Sequence, residues 1–310
     1  MRSEDRSLFH MTPGMRLAIF LGTTGISLIL GAFITFSLVA GYFHVGFTET
    51  QRVLLQPQNA HISLFANALA SVIAFLIPSF AVAFFTKGAI VSNMGFRPIN
   101  NPIQIQWVIL LAFSGLLLSG ALASLTELIP VPVNFKSWAN GLEAAYKKAL
   151  MAMTQMHSIG DLIINLLAVA FIPALVEELY FRGALQKTLK DWSGNAIIAI
   201  VITSIVFSAF HFSYFGFLSR MGLGIVLGFI FEYSKSIWLS ILLHFINNAV
   251  AIVTLYLVRA DAVKVDKVMD ENLPLYWGIV AVALVAFLLI KLKTASNYTN
   301  YARLENDILE

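Results

Sequence analysis

The amino-acid sequence predicts an all-α fold, a polytopic bundle of about eight transmembrane helices. Hydrophobic residues make up 58% of the 310 positions and charged residues only 12%, an apolar excess that soluble globular chains do not show. The mean hydropathy is +0.80. Apolar stretches of about 20 residues, the length of a membrane-spanning helix, recur along the chain with short polar breaks. No sizeable soluble domain is therefore expected.

The predicted spans follow these apolar stretches, and the tryptophans lie at or near their edges, at the headgroup level that they prefer. The first stretch is too long for a signal peptide, so we expect an uncleaved first helix. The loop at 130–160 contains an amphipathic segment, Gly141 to Met153, which predicts a helix in the membrane interface. Gly224 and Gly228 predict a close helix contact. The spans are 15–43, 61–86, 106–129, 162–190, 196–217, 219–233, 236–258 and 276–292.

Lysine and arginine are biased towards one side of this bundle. With the N-terminus inside, 12 of the 20 fall on the inner side, and such an excess indicates the cytoplasm. We therefore expect a multi-pass protein of the cell membrane with both termini cytoplasmic. The inner residues are Arg2, Arg6, Arg16, Lys87, Arg97, Arg182, Lys187, Lys190, Lys235, Lys291, Lys293 and Arg303, and the outer ones are Arg52, Lys136, Lys147, Lys148, Arg220, Arg259, Lys264 and Lys267.

Charge and cysteine content exclude several function classes. The net charge is only +3 and the basic residues are scattered, so no basic patch indicates nucleic-acid binding. Cysteine is absent, which excludes thiol nucleophiles, disulfides and thiolate metal ligands.

The fourth predicted span carries Glu177, Glu178 and Arg182 inside an apolar helix. A charge in mid-membrane costs roughly 2.5 kcal/mol or more, so such residues face protein or water and usually serve a function. Glu178 and Arg182 are four residues apart and are expected to pair. Glu177 points about 100° away from that pair and is expected to remain available.

Two later spans each place a histidine one helical turn from a second motif residue: His211 after Phe207, and His244 before Asn248. A lone histidine in a membrane helix more often makes an interhelical hydrogen bond than it catalyses a reaction. The helical rise puts these polar groups and Glu177 at similar depths, provided that the fourth helix is long. The sequence thus predicts an intramembrane active-site cavity.

A glutamate beside a histidine in a low-dielectric cavity can act as a general base toward water, and this role fits Glu177. His244 and the amide of Asn248 are suitable donors to a developing oxyanion. We expect that no cofactor is required, although Glu177, His211 and His244 could bind a divalent metal such as zinc. The His-Glu-x-x-His pattern, the Gly-x-Ser-Gly elbow and paired intramembrane aspartates are absent from the sequence.

Three motifs occur in order on successive predicted helices: Glu177-Glu178-x-x-x-Arg182, Phe207-x-x-x-His211 and His244-x-x-x-Asn248. Over about residues 160–255 the chain resembles the CPBP intramembrane proteases, also called the CAAX protease and bacteriocin-processing or Abi family. The resemblance implies that Glu177 and His211 activate water. It implies that His244 and Asn248 stabilise the oxyanion. Glu178, Arg182 and Phe207 would support the site, and members have been described both as metalloproteases and as metal-free enzymes.

The resemblance implies an intramembrane endopeptidase for membrane-associated peptides or proteins, in CAAX-type or bacteriocin and leader processing. The lipid bilayer is the other expected partner, and nucleic acid is not one. The chain would comprise N-terminal helices with the interfacial helix (1–160), a catalytic core (160–258) and a last helix with a cytoplasmic tail (259–310).

Two alternatives remain open: a non-proteolytic membrane scaffold or bacteriocin-immunity factor, and, less favoured, a proton-coupled transporter. The transporter would require inverted repeats and matching broken helices, which the sequence does not contain. The charge bias places the Lys187–Lys190 end of the fourth helix in the cytoplasm. If the protein is a protease, water is expected to reach Glu177 through a cleft at that end.

Overall fold

The protein consists of α-helices joined by short connections in this computed structural model, which describes residues 11–99, 101–259 and 273–309. Arg2, Arg6, Lys264 and Lys267 of the predicted charge bias lie outside the described residues, as do the side chains of 298–309, including Arg303. No strand occurs in the described ranges. The long helices are α1 (Pro13–Phe43), α2 (Ala60–Phe84), α3 (Ile103–Leu128), α4 (Val133–Met153), α5 (Ile159–Ser193), α6 (Ala196–Ala209), α7 (Phe217–Ser234), α8 (Ile237–Val258) and α9 (Tyr276–Leu309).

Helices α1, α2, α3, α5, α7, α8 and α9 are long and apolar enough to cross a membrane, which makes seven candidate spans among the described residues. Their outward side chains are large and apolar, and Ile29 of α1 and Leu257 of α8 are 73% and 72% exposed. Such surface is stable in lipid and not in water. The predicted polytopic helical bundle is therefore confirmed.

Helix α6 is the exception, and the predicted span 196–217 is wrong at its C-terminal end. The helix ends at Ala209, where the chain turns. Phe212 adopts a left-handed backbone conformation, with φ of 50°, and the N–H of His211 donates to the carbonyl of Ser208. Hydropathy does not locate this helix end, because the residues of the turn are mostly aromatic and the apolar pattern continues through them. A helix of 14 residues is about 21 Å long, shorter than the hydrocarbon core of about 30 Å, so the turn lies at membrane depth.

Helix α5 is long, as the depth argument requires, and runs without interruption over 35 residues. It contains two π-helical segments, Leu166–Phe171 and Leu179–Gln186. The α-helical stretch between them ends in the two glutamates, Glu177 and Glu178. Such π segments inside α-helices often occur at functional sites because the widened turn redirects the side chains that follow.

Helix α7 packs tightly on α6 through two glycines. A Cβ added at Gly224 would lie 3.0 Å from the Cβ of Ser204, and one added at Gly228 would lie 2.8 Å from Ile200. These distances leave no room for a side chain at either position. The close approach predicted from the glycine spacing is confirmed, and it also exposes the glycine carbonyls to α5.

Helices α5 and α7 run parallel and are joined by three polar contacts at successive turns, all with the same offset of 42 residues. We call this set the α5–α7 ladder. Its contacts are Arg182 Nη2 to Gly224 O at 3.1 Å, Gln186 Nε2 to Gly228 O at 3.1 Å, and Lys190 Nζ to Glu232 Oε1 at 2.6 Å.

The N-terminal helices α1 and α2 pack against α5 beside the two glutamates. The hydroxyls of Thr24 and Tyr180 are 3.1 Å apart, and the rings of Phe20 and Phe75 lie 4.6 and 5.0 Å from that of Tyr180. The aromatic contacts continue through Phe181. These helices therefore hold the middle of α5 in place.

Candidate active site

Glu178 lies at the centre of a polar cluster that joins α5 to α8. Its Oε1 accepts a hydrogen bond from Arg182 Nη1 at 2.7 Å and another from His244 Nδ1 at 3.0 Å. The Glu178 and Arg182 side chains are both fully buried. The predicted pair of Glu178 and Arg182 is confirmed. The bond to His244 is not predictable from helix phase, because phase on one helix does not identify a partner on another.

Arg182 contacts three different groups, although its buried Nε has no hydrogen-bond partner among the described residues. Beyond Glu178, its Nη2 donates to the carbonyl of Gly224, and its guanidinium lies over the ring of Phe207 with Cζ 4.9 Å from the centroid. The same ring contacts His211 and His244, at centroid distances of 4.9 and 5.7 Å. Phe207 thus packs against the Arg182 guanidinium and against both histidine rings.

Glu177 is the carboxylate at the edge of the cluster. Its Oε2 lies 3.9 Å from Nε2 of His244, and its side chain is 13% exposed, whereas that of Glu178 is 0% exposed. Among the described residues, this buried oxygen has no hydrogen-bond partner. Glu177 therefore has the free lone pairs that a general base needs, close to a histidine.

His211 lies on the turn after α6 and not inside the helix. Its Nδ1 is 2.9 Å from the carbonyl oxygen of Phe207. A carbonyl only accepts, so Nδ1 carries the proton and Nε2 of the neutral ring is an acceptor. This tautomer suits a group that takes part in orienting water.

Asn248 lies one turn beyond His244 on α8 and is partly buried. Its amide makes no hydrogen bond to the described residues, so both its donors are available. The structure thus brings Glu177, Glu178 and His244 together, with Phe207 between His211 and His244. Asn248 follows on the same helix as His244.

A divalent metal bound by Glu177, His211 and His244 remains a prediction from the sequence. In the described part of the chain, no group of three or more His, Asp and Glu side chains is placed so as to hold a metal ion. His211 and His244 both direct Nδ1 to an oxygen, of the Phe207 carbonyl and of Glu178 respectively, so that Nε2 of each ring is left free of these contacts.

A cavity of about 800 Å³ is lined by residues close in sequence to His211 and Asn248, but by none of the predicted site residues themselves. It lies between the C-terminal end of α3, helix α4, the start of α7 and the C-terminal half of α8. Ser213 and Asn247 line it and are sequence neighbours of His211 and Asn248. Its charged lining residues are Glu127, Glu143, Lys147 and Arg220.

This cavity does not lie where the cleft was expected. The cleft was expected at the Lys187–Lys190 end of α5, but the cavity lies at the opposite end, on the side where α4 runs. Helix α4 lines it with Glu143 and Lys147, so part of its polar face points into the protein. An amphipathic pattern defines two faces of a helix but does not say which of them meets water outside the bundle.

Arg220 is the site residue that the sequence analysis misses. It lies in the first turn of α7, and its charge interacts with both Glu177 and His211. A cation within an apolar span that also contains several glycines is a signal that could have found it.

The fold and this cluster define a polytopic membrane protein with a buried site of glutamate, histidine and arginine. Residues 159–250, under a third of the chain, match the family described as type II CAAX prenyl endopeptidase Rce1-like. This match bears out the resemblance to the CAAX proteases over the segment that carries the three motifs. Every predicted site residue lies inside the matched segment. No curated protein and no solved structure matches the chain.

Proposed function

We propose that the protein is an intramembrane endopeptidase that hydrolyses peptide bonds of membrane-associated peptides or proteins with water activated by Glu177. The observation that carries this proposal is the Glu177 carboxylate, which has a buried oxygen without a hydrogen-bond partner among the described residues and lies 3.9 Å from His244. The family match supports proteolysis of the CAAX type. Bacteriocin or leader processing is a second form of the same reaction.

In the proposed reaction, Glu177 takes a proton from a water molecule as that water attacks the scissile carbonyl. Nε2 of His211 is an acceptor and orients the same water. The proton then passes from Glu177 to the leaving amine, which separates as the carbon–nitrogen bond breaks. Water thus adds across the peptide bond, and no oxidant or reductant is needed.

The oxyanion that forms in this step needs hydrogen-bond donors in a site of low dielectric. We assign this role to His244 Nε2 and to the side-chain amide of Asn248. Donation from Nε2 requires a ring protonated on both nitrogens, because Nδ1 already donates to Glu178. Glu178 and Arg182 act through His244 by holding it in this orientation.

The proposed function is tested by incubating the purified protein in detergent with a library of fluorescent membrane peptides, followed by mass spectrometry of the products. We expect cleavage within or near the apolar part of a subset of peptides. We also expect it to persist in the presence of a strong chelator. Activity that is lost on chelation and restored by stoichiometric zinc would replace the metal-free mechanism by a metal-dependent one.

The scaffold or immunity alternative differs from this proposal in one measurable respect. A non-proteolytic protein binds the same peptides and releases them intact. Absence of any cleaved product across the library, together with saturable peptide binding, would favour that alternative over the endopeptidase.

The side of the membrane that the cavity faces is testable because the chain contains no cysteine. Ser137 on α4 and Ala89 between α2 and α3 are both exposed and lie on opposite sides of the bundle. With both termini cytoplasmic, we expect Ala89→Cys to react with an impermeant maleimide only from the cytoplasm and Ser137→Cys only from the other side. The cavity would then open on the non-cytoplasmic side. The reverse labelling pattern would show that the cavity opens to the cytoplasm and that the proposed topology is inverted.

A further inference from the structure

Residues 210–216, which we call the α6–α7 turn, carry His211 and have one buried residue, Ser213. The Ser213 hydroxyl donates to Oε2 of Glu143 on α4 at 2.7 Å and accepts from the N–H of Gly216 at 3.1 Å. A hydroxyl whose one proton and one lone pair are both engaged is held in a single orientation. Ser213 therefore ties the turn to helix α4.

His211 is held from its N-terminal side by the last turn of α6. Its Nδ1 donates to the carbonyl of Phe207 at 2.9 Å, and its backbone N–H donates to that of Ser208 at 3.2 Å. The next residue, Phe212, is 74% exposed and has a φ of 50°. A bulky residue keeps this left-handed conformation only when its surroundings hold it. On the C-terminal side, the support of His211 therefore begins at Ser213.

The bond from Ser213 to Glu143 differs from the other hydrogen bonds of the α6–α7 turn. Ser208 Oγ donates to the carbonyl of Phe217 at 2.6 Å, which joins the end of α6 to the start of α7 but leaves the residues between them unanchored. Among the described residues, the bond to Glu143 is the one that links a side chain of the turn to a different helix. Its acceptor is a carboxylate, and such bonds are roughly twice as strong as neutral ones.

Two further contacts keep α4 against the turn and the start of α7. The ring centroids of Phe135 and Tyr214 lie 5.1 Å apart, and Cζ of Arg220 lies 5.1 Å from the ring centroid of Tyr146. At 100° per residue, Phe135, Glu143 and Tyr146 fall within about 80° on one face of the helix. Glu143 thus lies between two aromatic contacts that fix its distance from the turn.

We propose that Glu143 is a positioning residue for the reaction: it holds Ser213, and through Ser213 it keeps His211 where Nε2 can orient the attacking water. The inference rests on the proposed endopeptidase function and deepens it. Glu143 lies outside residues 159–250, the segment that matches the family, so the inference depends on the contacts of α4 alone.

The kinetic test is Glu143→Ala, measured with a peptide that the wild type cleaves. We expect kcat to fall roughly 10- to 100-fold, the effect of a misplaced reacting group, while KM stays unchanged because His211 orients water and does not bind the peptide. Glu143→Gln keeps an acceptor oxygen in the same place and should restore most of the lost kcat. A contact that only stabilised the fold would change the melting temperature and leave kcat of the folded protein unaltered.

A double-variant comparison tests whether Glu143 acts through Ser213. Ser213→Ala should lower kcat at least as much as Glu143→Ala does. Adding Glu143→Ala to Ser213→Ala should then cause no further loss, because the two groups share one interaction. If Glu143→Ala does not fold, Ser213→Ala is used for the same measurements.

Asn140→Ala is the matched control. Asn140 lies three residues before Glu143 on α4, is exposed and lines the same cavity, but makes no hydrogen bond to the α6–α7 turn. Its replacement should leave kcat, KM and the melting temperature unchanged.

A spectroscopic measurement reports on His211 without any cleavage. The protein is labelled with [¹⁵N]histidine and studied in lipid by solid-state NMR, and His211→Gln identifies the resonances of that ring among those of the six histidines. We expect Glu143→Ala and Ser213→Ala to shift and broaden the His211 resonances, because the ring then samples several positions. Asn140→Ala should leave these resonances as they are in the wild type.

Unchanged His211 resonances in both Glu143→Ala and Ser213→Ala would overturn the inference, as would a normal kcat in both variants. Either result leaves the endopeptidase standing if the wild type cleaves peptides. Conversely, His211 resonances that depend on Glu143 in a protein that cleaves nothing would refute the endopeptidase and retain the link from α4 to His211.

Discussion

Glu177→Gln is expected to lower the rate of peptide cleavage by about 10²- to 10⁴-fold, the contribution of a general base, while the protein keeps its melting temperature. The amide cannot take a proton from water. Stability should be unaffected because Oε2 of Glu177 has no hydrogen-bond partner among the described residues. Turnover is measured with a peptide cleaved by the wild type, and melting is followed by tryptophan fluorescence in detergent.

Two comparisons make this result specific. Glu49→Gln changes an exposed carboxylate far along the chain from the matched segment and should alter neither quantity. Glu178→Gln should lower the melting temperature, since Glu178 bonds both Arg182 and His244. Near-normal turnover in Glu177→Gln would refute the general-base assignment.

Arg182→Met is expected to destabilise the folded protein by about 3–5 kcal/mol, because it leaves the buried carboxylate of Glu178 without its cation. The matched control is Lys190→Met, two turns further along α5 in the same ladder. Its pair with Glu232 is partly exposed, with 39% and 20% of the two side chains accessible, so its loss should cost only about 0–1 kcal/mol. Unfolding is compared by denaturant titration in mixed micelles.

The double variant Glu178→Leu, Arg182→Met separates loss of the charge from loss of packing. Replacing both members of a buried pair by apolar residues is often neutral or stabilising, so the double variant should regain much of the lost stability. The double variant should not cleave peptides, because Nδ1 of His244 then loses its acceptor Glu178. Equal losses of unfolding free energy in Arg182→Met and Lys190→Met would show that the buried pair contributes no more to stability than the partly exposed pair.

Hydropathy and helical periodicity predict most of the fold, because both depend on the free energy of placing each side chain in lipid or in protein. They give the span positions, the long α5, the pair of Glu178 with Arg182 and the close approach at Gly224 and Gly228. They do not give the end of α6 at Ala209, which is set by backbone geometry within an aromatic segment. Nor do they give the π segments of α5, which leave the apolar pattern unchanged.

The site is less predictable than the fold because it is assembled from several helices. The three motifs identify side chains in it, but the bond between His244 and Glu178 depends on how α8 is rotated against α5. The place of Arg220 depends on the turn before α7 and on the inward polar face of α4. Interhelical rotation of this kind is fixed by packing over the whole bundle, which no single segment encodes.

The α5–α7 ladder restricts how a substrate could enter. A slip of one turn, about 5.4 Å, would in one direction set Arg182 opposite Arg220 and in the other separate Lys190 from Glu232. The two helices should therefore keep a constant axial register, and with it a constant distance between Glu177 and Arg220. Helix α4 has only two buried residues, Ala139 and Ala152, within its described length. With so few buried residues, α4 is less tightly packed against the bundle than the helices of the ladder.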